Sequence, residues 1–280
     1  MTPVASPSRD TERPPRVVLR RSVPYAGDLP SAAPPDLDAA QLRAVAFRGG
    51  VARVLGAPGT GKSTVAVEVA ADRVRSGELT PDQCLLVAPT RVAAARLRDA
   101  VTARVGGTST SPLARTLPSF AFGILRQAAA LAGDPTPRLL SGPEQDLILR
   151  DLLAGHASGD GTDPGWPASV VPALPTRGFR TELRDLLMRA VEHDLDPESL
   201  AALGASYDRP EWVAGARVLA EYDEVTALSA PGAFDPAWIL GFAADLLRSD
   251  DQALARVRET VRCVVVDDAQ ELTPAAVRLL

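Results

Sequence analysis

The chain has 280 residues, 46% of them apolar and 23% charged, with a formal net charge of −5. These values belong to a folded protein with room for one large or two modest domains. They exclude a surface that is basic throughout, though not a local basic groove, and no run of about 18 apolar residues exists to span a membrane.

Residues 1–35 are rich in Pro, Ser and Arg and hold neither a strand nor a helix period, so they read as a flexible arm in which Val17–Arg20 is at most a short edge strand. They also lack the apolar segment of a secretory signal. From Asp36 to about Arg126 the pattern alternates. Val51–Leu55 is an apolar run ending at glycine, and Ser63–Arg75 has helical spacing. Leu85–Ala88 reads as a buried strand and Thr90–Val105 as a helix, with Leu97, Val101 and Val105 on one face. Leu113–Leu117 reads as a third strand and Ser119–Leu131 as a helix. Such alternation predicts a parallel sheet with covering helices.

Beyond about Gln127 the strand signals fade. Ser141 and Glu144 form a capping box for a helix that Gly155 should stop. Asp196 should cap a helix that Gly204 ends. Helices are also predicted over Arg180–Glu192, Glu211–Leu228 and Pro236–Leu247, with a Gly/Pro-rich loop over 156–178. Val261–Val266 then returns to β-formers, followed by Asp267 and Asp268, and a helix begins after Thr273-Pro274. An α/β core is thus interrupted by helices and resumed. Trp166, Trp212 and Trp238 are dispersed among those helices as packing residues. His156 and His193 have no metal-ligand company and read as surface or cap residues. Two cysteines, Cys84 and Cys263, cannot build a disulfide framework, so a cytoplasmic location is expected.

Of the 30 basic residues, Lys62 is the only lysine. An arginine-rich background that keeps one lysine points to a place where a planar fork does not fit and a compact ammonium does. Lys62 lies in Gly56-Ala57-Pro58-Gly59-Thr60-Gly61-Lys62-Ser63, which fits G-x-x-x-x-G-K-[ST] with an apolar run before and a helix after. Glycines let successive backbone N–H groups turn inward around phosphate oxygens, and the helix N-terminus adds partial positive charge. Lys62 would reach the β- and γ-phosphates, Ser63 would ligate Mg²⁺, and Thr64 completes the turn into the helix. Cys263–Asp268 resembles a Walker B strand, a buried strand with carboxylates at its C-terminal end. Alone, the two aspartates serve equally as an acidic cap. Paired with the glycine loop, Asp267 reads as the Mg²⁺ ligand and Asp268 as the group that polarises attacking water.

In this order the motifs resemble those of the UvrD/Rep/PcrA-like superfamily 1 DNA helicases. Leu37-Asp38-Ala39-Ala40-Gln41 resembles the family's adenine-reading motif, so Gln41 is expected to select ATP. Thr90-Arg91-Val92-Ala93-Ala94 lies where the family has motif Ia, and Thr116-Leu117-Pro118-Ser119-Phe120 with Leu125-Arg126 resembles motif Ib. Asp267-Asp268-Ala269-Gln270-Glu271 resembles motif II, whose glutamine, here Gln270, senses the γ-phosphate. The resemblance implies a RecA-like ATP-binding domain over 36–126 and 260–280, with 127–259 as a helical insertion of the 1B type. It implies single-stranded DNA as partner, contacted by Thr90, Arg91, Ser119 and Arg126, with Arg96 and Arg98 near them. The composition and the DDAQEL-T-P stretch resemble the motor subunit of actinobacterial RecBCD-like helicase–nucleases, which implies a helicase–nuclease partner subunit.

Three residues depart from the family pattern. Pro89 stands where an aromatic stacks on a base, a contact that contributes about 1–3 kcal/mol. Pro118 replaces a histidine, and Asp268 replaces a glutamate that is one methylene longer. A second RecA-like domain with its arginine finger does not follow within these residues, and such a finger contributes about 10³–10⁵-fold. The chain therefore reads as an N-terminal piece, expected to bind ATP–Mg²⁺ weakly, to hydrolyse it poorly and not to unwind DNA alone. Two other readings stand beside the enzyme: a non-catalytic ATP-binding scaffold, and an unrelated P-loop kinase or GTPase, against which Gln41 and the lack of an N-K-x-D motif argue.

Overall fold

The computed structural model describes residues 35–106 and 113–280; the segment Val17–Arg20 lies outside them. In chain order the elements are α1 (Ala39–Ala46), α2 (Lys62–Arg75), β1 (Cys84–Val87), α3 (Arg91–Val105), β2 (Ala114–Arg115) and α4 (Leu117–Ala132). There follow β3 (Arg138–Leu139), α5 (Gly142–Ser158), α6 (Arg177–Glu192), α7 (Pro197–Ser206), α8 (Pro210–Ser229) and β4 (Ala233–Phe234). The chain continues with α9 (Ile239–Ser249), α10 (Asp251–Thr260), β5 (Cys263–Val266) and α11 (Pro274–Leu279).

β2, β1 and β5 form a parallel sheet in that order, with Leu86 opposite Ala114 and Cys84 opposite Cys263. β1 is buried along its whole length. Alternate side chains leave opposite faces of a strand, and two cores follow from that. Cys84 and Leu86 pack against Val67 and Ala70 of α2 and Leu97 and Val101 of α3. Leu85 and Val87 pack against Leu117 and Ala121 of α4, Ile239 and Ala243 of α9, and Ala275 of α11. This is a mixed α/β fold with a parallel sheet between helical layers, as the sequence predicts.

A third core lies among α5 to α8, where Leu149, Leu187, Leu200, Leu219 and Tyr222 are buried together. Trp238 packs on Tyr222 with ring centroids 5.7 Å apart, and Trp166 meets Phe179 edge-on at 5.2 Å. The tryptophans are packing residues, as expected. β3 and β4, which the sequence reading missed, pair in parallel as a two-stranded clip. Beneath the clip the buried Asp235 carboxylate accepts from Gln145 Nε2 (2.7 Å), the Tyr222 hydroxyl (2.9 Å) and the Ala237 amide (3.0 Å). Burial, and then the Asp235 carboxylate beside it, hold the Tyr222 hydroxyl protonated far above its usual range.

Several expectations are corrected. Val51–Leu55 is not a strand: it is irregular, and Val51 is 99% exposed. A strand needs a ladder partner for its backbone groups, and among the described residues nothing pairs there. Gly155 does not stop α5, which runs on to a left-handed Gly159. Gly204 does not end α7, which continues to Ser206. The helix predicted from Pro236 begins at Ile239, and α10 follows it after Asp250, which caps α10 by accepting from the Gln252 and Ala253 amides. His156 is not a surface residue: its side chain is 2% exposed, and its Nε2 lies 2.6 Å from Glu221. His193 is the C-cap of α6.

Candidate nucleotide and nucleic-acid site

β1, β2 and β5 run parallel, so the segments that leave their C-terminal ends share one edge of the sheet. Those segments begin at Ala88, Thr116 and Asp267. α2 runs the opposite way. Its last turn, at Arg73, and Glu78 beyond it act on the thiols at the strand starts, which leaves its first residue, Lys62, at the edge where the strands end.

The loop before α2 is shaped by close approaches among its own residues and Gln41. Gly61 caps the helix at φ 84°, and a Cβ there would lie 2.8 Å from Gln41 Nε2. A Cβ on Gly56 would lie 2.5 Å from Thr60 Oγ1. The Thr60 hydroxyl donates to Ala57 O at 2.8 Å. Lys62 Nζ donates to Gly56 O and Ala57 O, both at 3.0 Å. The ammonium thus closes the loop on carbonyls, and among the described residues no carboxylate pairs with it. The loop from Gly56 through Thr60 is exposed, as is Ser63, while Pro58 and Gly59 form the turn that carries the loop round.

Gln41 sits in a capping box at the start of α1. Asp38 Oδ1 accepts from the Ala40 and Gln41 amides at 2.7 and 2.8 Å, and Gln41 Oε1 accepts from the Asp38 amide at 2.9 Å. Its Nε2 donates to Thr60 O at 3.1 Å, tying α1 to the loop. An amide side chain has two donors and two lone pairs, so Gln41 keeps one of each.

At the end of β5, Asp267 is buried and its amide donates to Val87 O at 2.9 Å, which ties it to β1. Asp268 takes the left-handed conformation, φ 53°, a sparsely populated state for a non-glycine residue. Gln270 Nε2 donates to Asp268 Oδ1 at 3.1 Å. Among the described residues no group of three or more His, Cys, Asp or Glu stands together as a metal centre.

Thr90 caps α3, its hydroxyl accepting from the Ala93 amide at 3.1 Å, and Thr116 caps α4. Arg91, Arg96, Arg98 and Arg126 are exposed and form no ion pair among the described residues, unlike Arg73, Arg104, Arg180 and Arg278. Arg91 and Arg98, seven residues apart, share one face of α3, and Ser119 and Arg126 share an exposed face of α4. Arg96 is turned to another side of α3.

The sequence reading missed the bracing around α2. Glu68, 1% exposed, accepts from Arg104 Nε at 2.7 Å and Arg75 Nη2 at 3.2 Å, which ties α2 to α3. Arg48 pairs with Asp72 and with Glu78, and Arg73 with Glu78. The available signal was an acidic residue within the apolar stripe of a helix.

A glycine loop closed on a lysine, an extended sheet edge with carboxylates and a covering helix define a P-loop nucleotide-binding α/β protein. The model of the UvrD/REP helicase N-terminal domain matches residues 37–280, and the chain belongs to that family. No curated protein matches the chain. Members of this family are ATP-dependent DNA helicases that use Mg²⁺. No helix among the described residues is long and apolar enough to cross a membrane.

Proposed function

We propose that this chain is the ATP-binding part of a UvrD-like helicase that couples ATP hydrolysis to 3′→5′ translocation on single-stranded DNA in repair or recombination. The observation that carries the reading is that Lys62, Asp267 and Thr90 belong to one edge of the sheet. The loop fits a triphosphate: an exposed segment with two left-handed glycines and an ammonium held by two carbonyls. Gly56, Ala57, Pro58, Gly59, Thr60, Gly61 and Thr64 form the cradle, and Lys62 offsets charge on the outer phosphates. Ser63 and Asp267 fit Mg²⁺, which takes one or two protein oxygens and completes its shell with phosphates and water. When bound, that ion supplies charge stabilisation to the transferring phosphoryl group. Gln41 offers its spare donor and acceptor to the adenine edge, Asp268 orients the attacking water, and Gln270 reports the outer phosphate.

Arg91, Thr90, Ser119 and Arg126 hold the DNA backbone, giving sequence-neutral and salt-sensitive binding. Residues 36–126 and 260–280 form the ATP-binding domain, with 127–259 inserted. The separate core of α5 to α8 supports that division, while α9 and α10 within the insertion pack beside α4 and α11. A second RecA-like domain or a helicase–nuclease subunit is the partner that completes the site, in the cytoplasm.

The strained backbone of Asp268 and its engagement by Gln270 favour a second reading, a non-catalytic ATP-binding scaffold. DNA-stimulated ATP hydrolysis by the wild type and Asp268→Glu separates the two. The enzyme reading expects the longer carboxylate to raise turnover by about tenfold or more. Intact ATP binding with turnover unmoved by either DNA or the substitution supports the scaffold instead.

A further inference from the structure

The two cysteines are separated by most of the chain, yet β1 and β5 bring them side by side. Cys84 and Cys263 are register partners in neighbouring parallel strands. Both side chains therefore leave the same face of the sheet, toward α2, and both belong to the core beneath that helix. Neighbouring strands lie about 4.8 Å apart, inside the Cα separation of about 4.4–6.8 Å that a disulfide accepts. Both are free thiols, Cys84 buried and Cys263 half-buried. β5 has no described strand on its other side, and Cys263 at its start is itself half-buried, so a small solute reaches that sulfur from the open edge.

We propose that Cys84 and Cys263 are a peroxide-oxidised dithiol, with Cys263 as the attacking sulfur and Cys84 as the resolving one. The inference does not rest on the nucleotide reading. The surroundings divide the roles. The Cys84 thiol donates to the Cys263 sulfur and draws Cys263 down to about 7; burial opposes this, the Arg73 guanidinium assists, Glu78 opposes and Arg48 assists. The same hydrogen bond, with burial, pushes Cys84 far up. Arg73 Nε is itself buried without a hydrogen-bond partner, so an unspent N–H donor stands in the charge cluster that acts on both sulfurs. A thiolate is the reactive form of cysteine, and one that is accessible, has a lowered pKa and lies beside a second thiol is poised for this chemistry.

The Cys263 thiolate attacks one peroxide oxygen: an S–O bond forms, the O–O bond breaks, and hydroxide leaves and is protonated to water. Sulfur loses two electrons to the peroxide and becomes a sulfenic acid. Cys84 then gives up its proton and its sulfur attacks Cys263: the S–S bond forms, the S–O bond breaks, and a second water leaves with that proton. Two thiols and one peroxide yield one disulfide and two waters. The bridge would join the starts of β1 and β5, at the opposite end of the strands from Thr90 and Asp267.

The full chain treated with hydrogen peroxide at neutral pH, then alkylated and mapped without reduction, tests this. The expected product is a monomer lighter by two hydrogens, carrying a linked Cys84–Cys263 peptide that dithiothreitol separates. Cys84→Ser should leave a sulfenic acid at Cys263 that dimedone traps, and Cys263→Ser should leave Cys84 reduced. Both variants are close in size to cysteine, and thermal melts confirm that they fold. Over-oxidised Cys263 beside an unreacted Cys84 in the wild type, a dimer linked through Cys263, or dimedone capture at Cys84 would each overturn the assignment.

Discussion

The sheet edge with the proposed phosphate loop and the helical cluster of α5 to α8 are built on opposite terms. At the edge, the loop from Gly56 to Thr60 is exposed and its shape comes from backbone: two left-handed glycines, a hydroxyl on a carbonyl, an ammonium on two carbonyls. In the cluster, shape comes from buried side chains, and the buried Asp235 carboxylate beside it is enclosed by three donors. The loop residues contribute little to packing, whereas the buried residues of the cluster pack on one another. A substitution in one region should therefore move affinity and leave stability alone, and a substitution in the other should do the reverse.

Lys62→Ala is the largest break of this contrast. Charge-assisted hydrogen bonds contribute about 1.5–3 kcal/mol each. Losing the ammonium, which has no packing role, should weaken binding of a fluorescent ATP analogue by about 100-fold, with the thermal midpoint unchanged. Unaltered affinity would remove the basis of the nucleotide site. Glu68→Ala sharpens the contrast from inside the α/β part. Its carboxylate is buried between Arg75 and Arg104, whose side chains are 33% and 22% exposed. Breaking a buried pair costs about 3–5 kcal/mol, and because both arginines reach solvent the lower end, about 3 kcal/mol, is expected in urea denaturation. ATP affinity should stay within about threefold, since five residues separate Glu68 from Lys62 along α2.

Where local chemistry decides structure, the sequence was legible. Ser141 with Glu144, and Asp196, are caps in the structure because a cap is made by neighbours a few residues apart. β1 and β5 were legible as apolar runs. Where a distant partner decides, it was not. Val51–Leu55 has the composition of a strand and no ladder partner among the described residues. Cys84 and Cys263 meet only through a register between strands far apart in the chain. His156 reads as a surface residue until Glu221 of α8 covers it. The glycine loop and the two aspartates were found by motif, and their common edge follows from strand direction, which no local pattern carries.

Gly155 and Gly204 make the same point at the smallest scale. Each reads as a helix stop and each lies inside its helix, α5 or α7. They differ in what surrounds them. A Cβ on Gly155 meets nothing within 4 Å, whereas one on Gly204 would lie 3.0 Å from Arg209 O, Trp212 Cβ and Val213 Cγ2. Gly204 thus lets α7 close on α8, and Gly155 only loosens its helix. Gly204→Ala should cost about 1–2 kcal/mol by overpacking. Gly155→Ala should add about 0.5–1 kcal/mol by removing backbone freedom from the unfolded chain and raising helix propensity. Paired denaturation curves read both, and neither should change ATP affinity. Equal signs for the two would mean that α7 and α8 are not in the close contact that sets the helical cluster apart from the sheet edge.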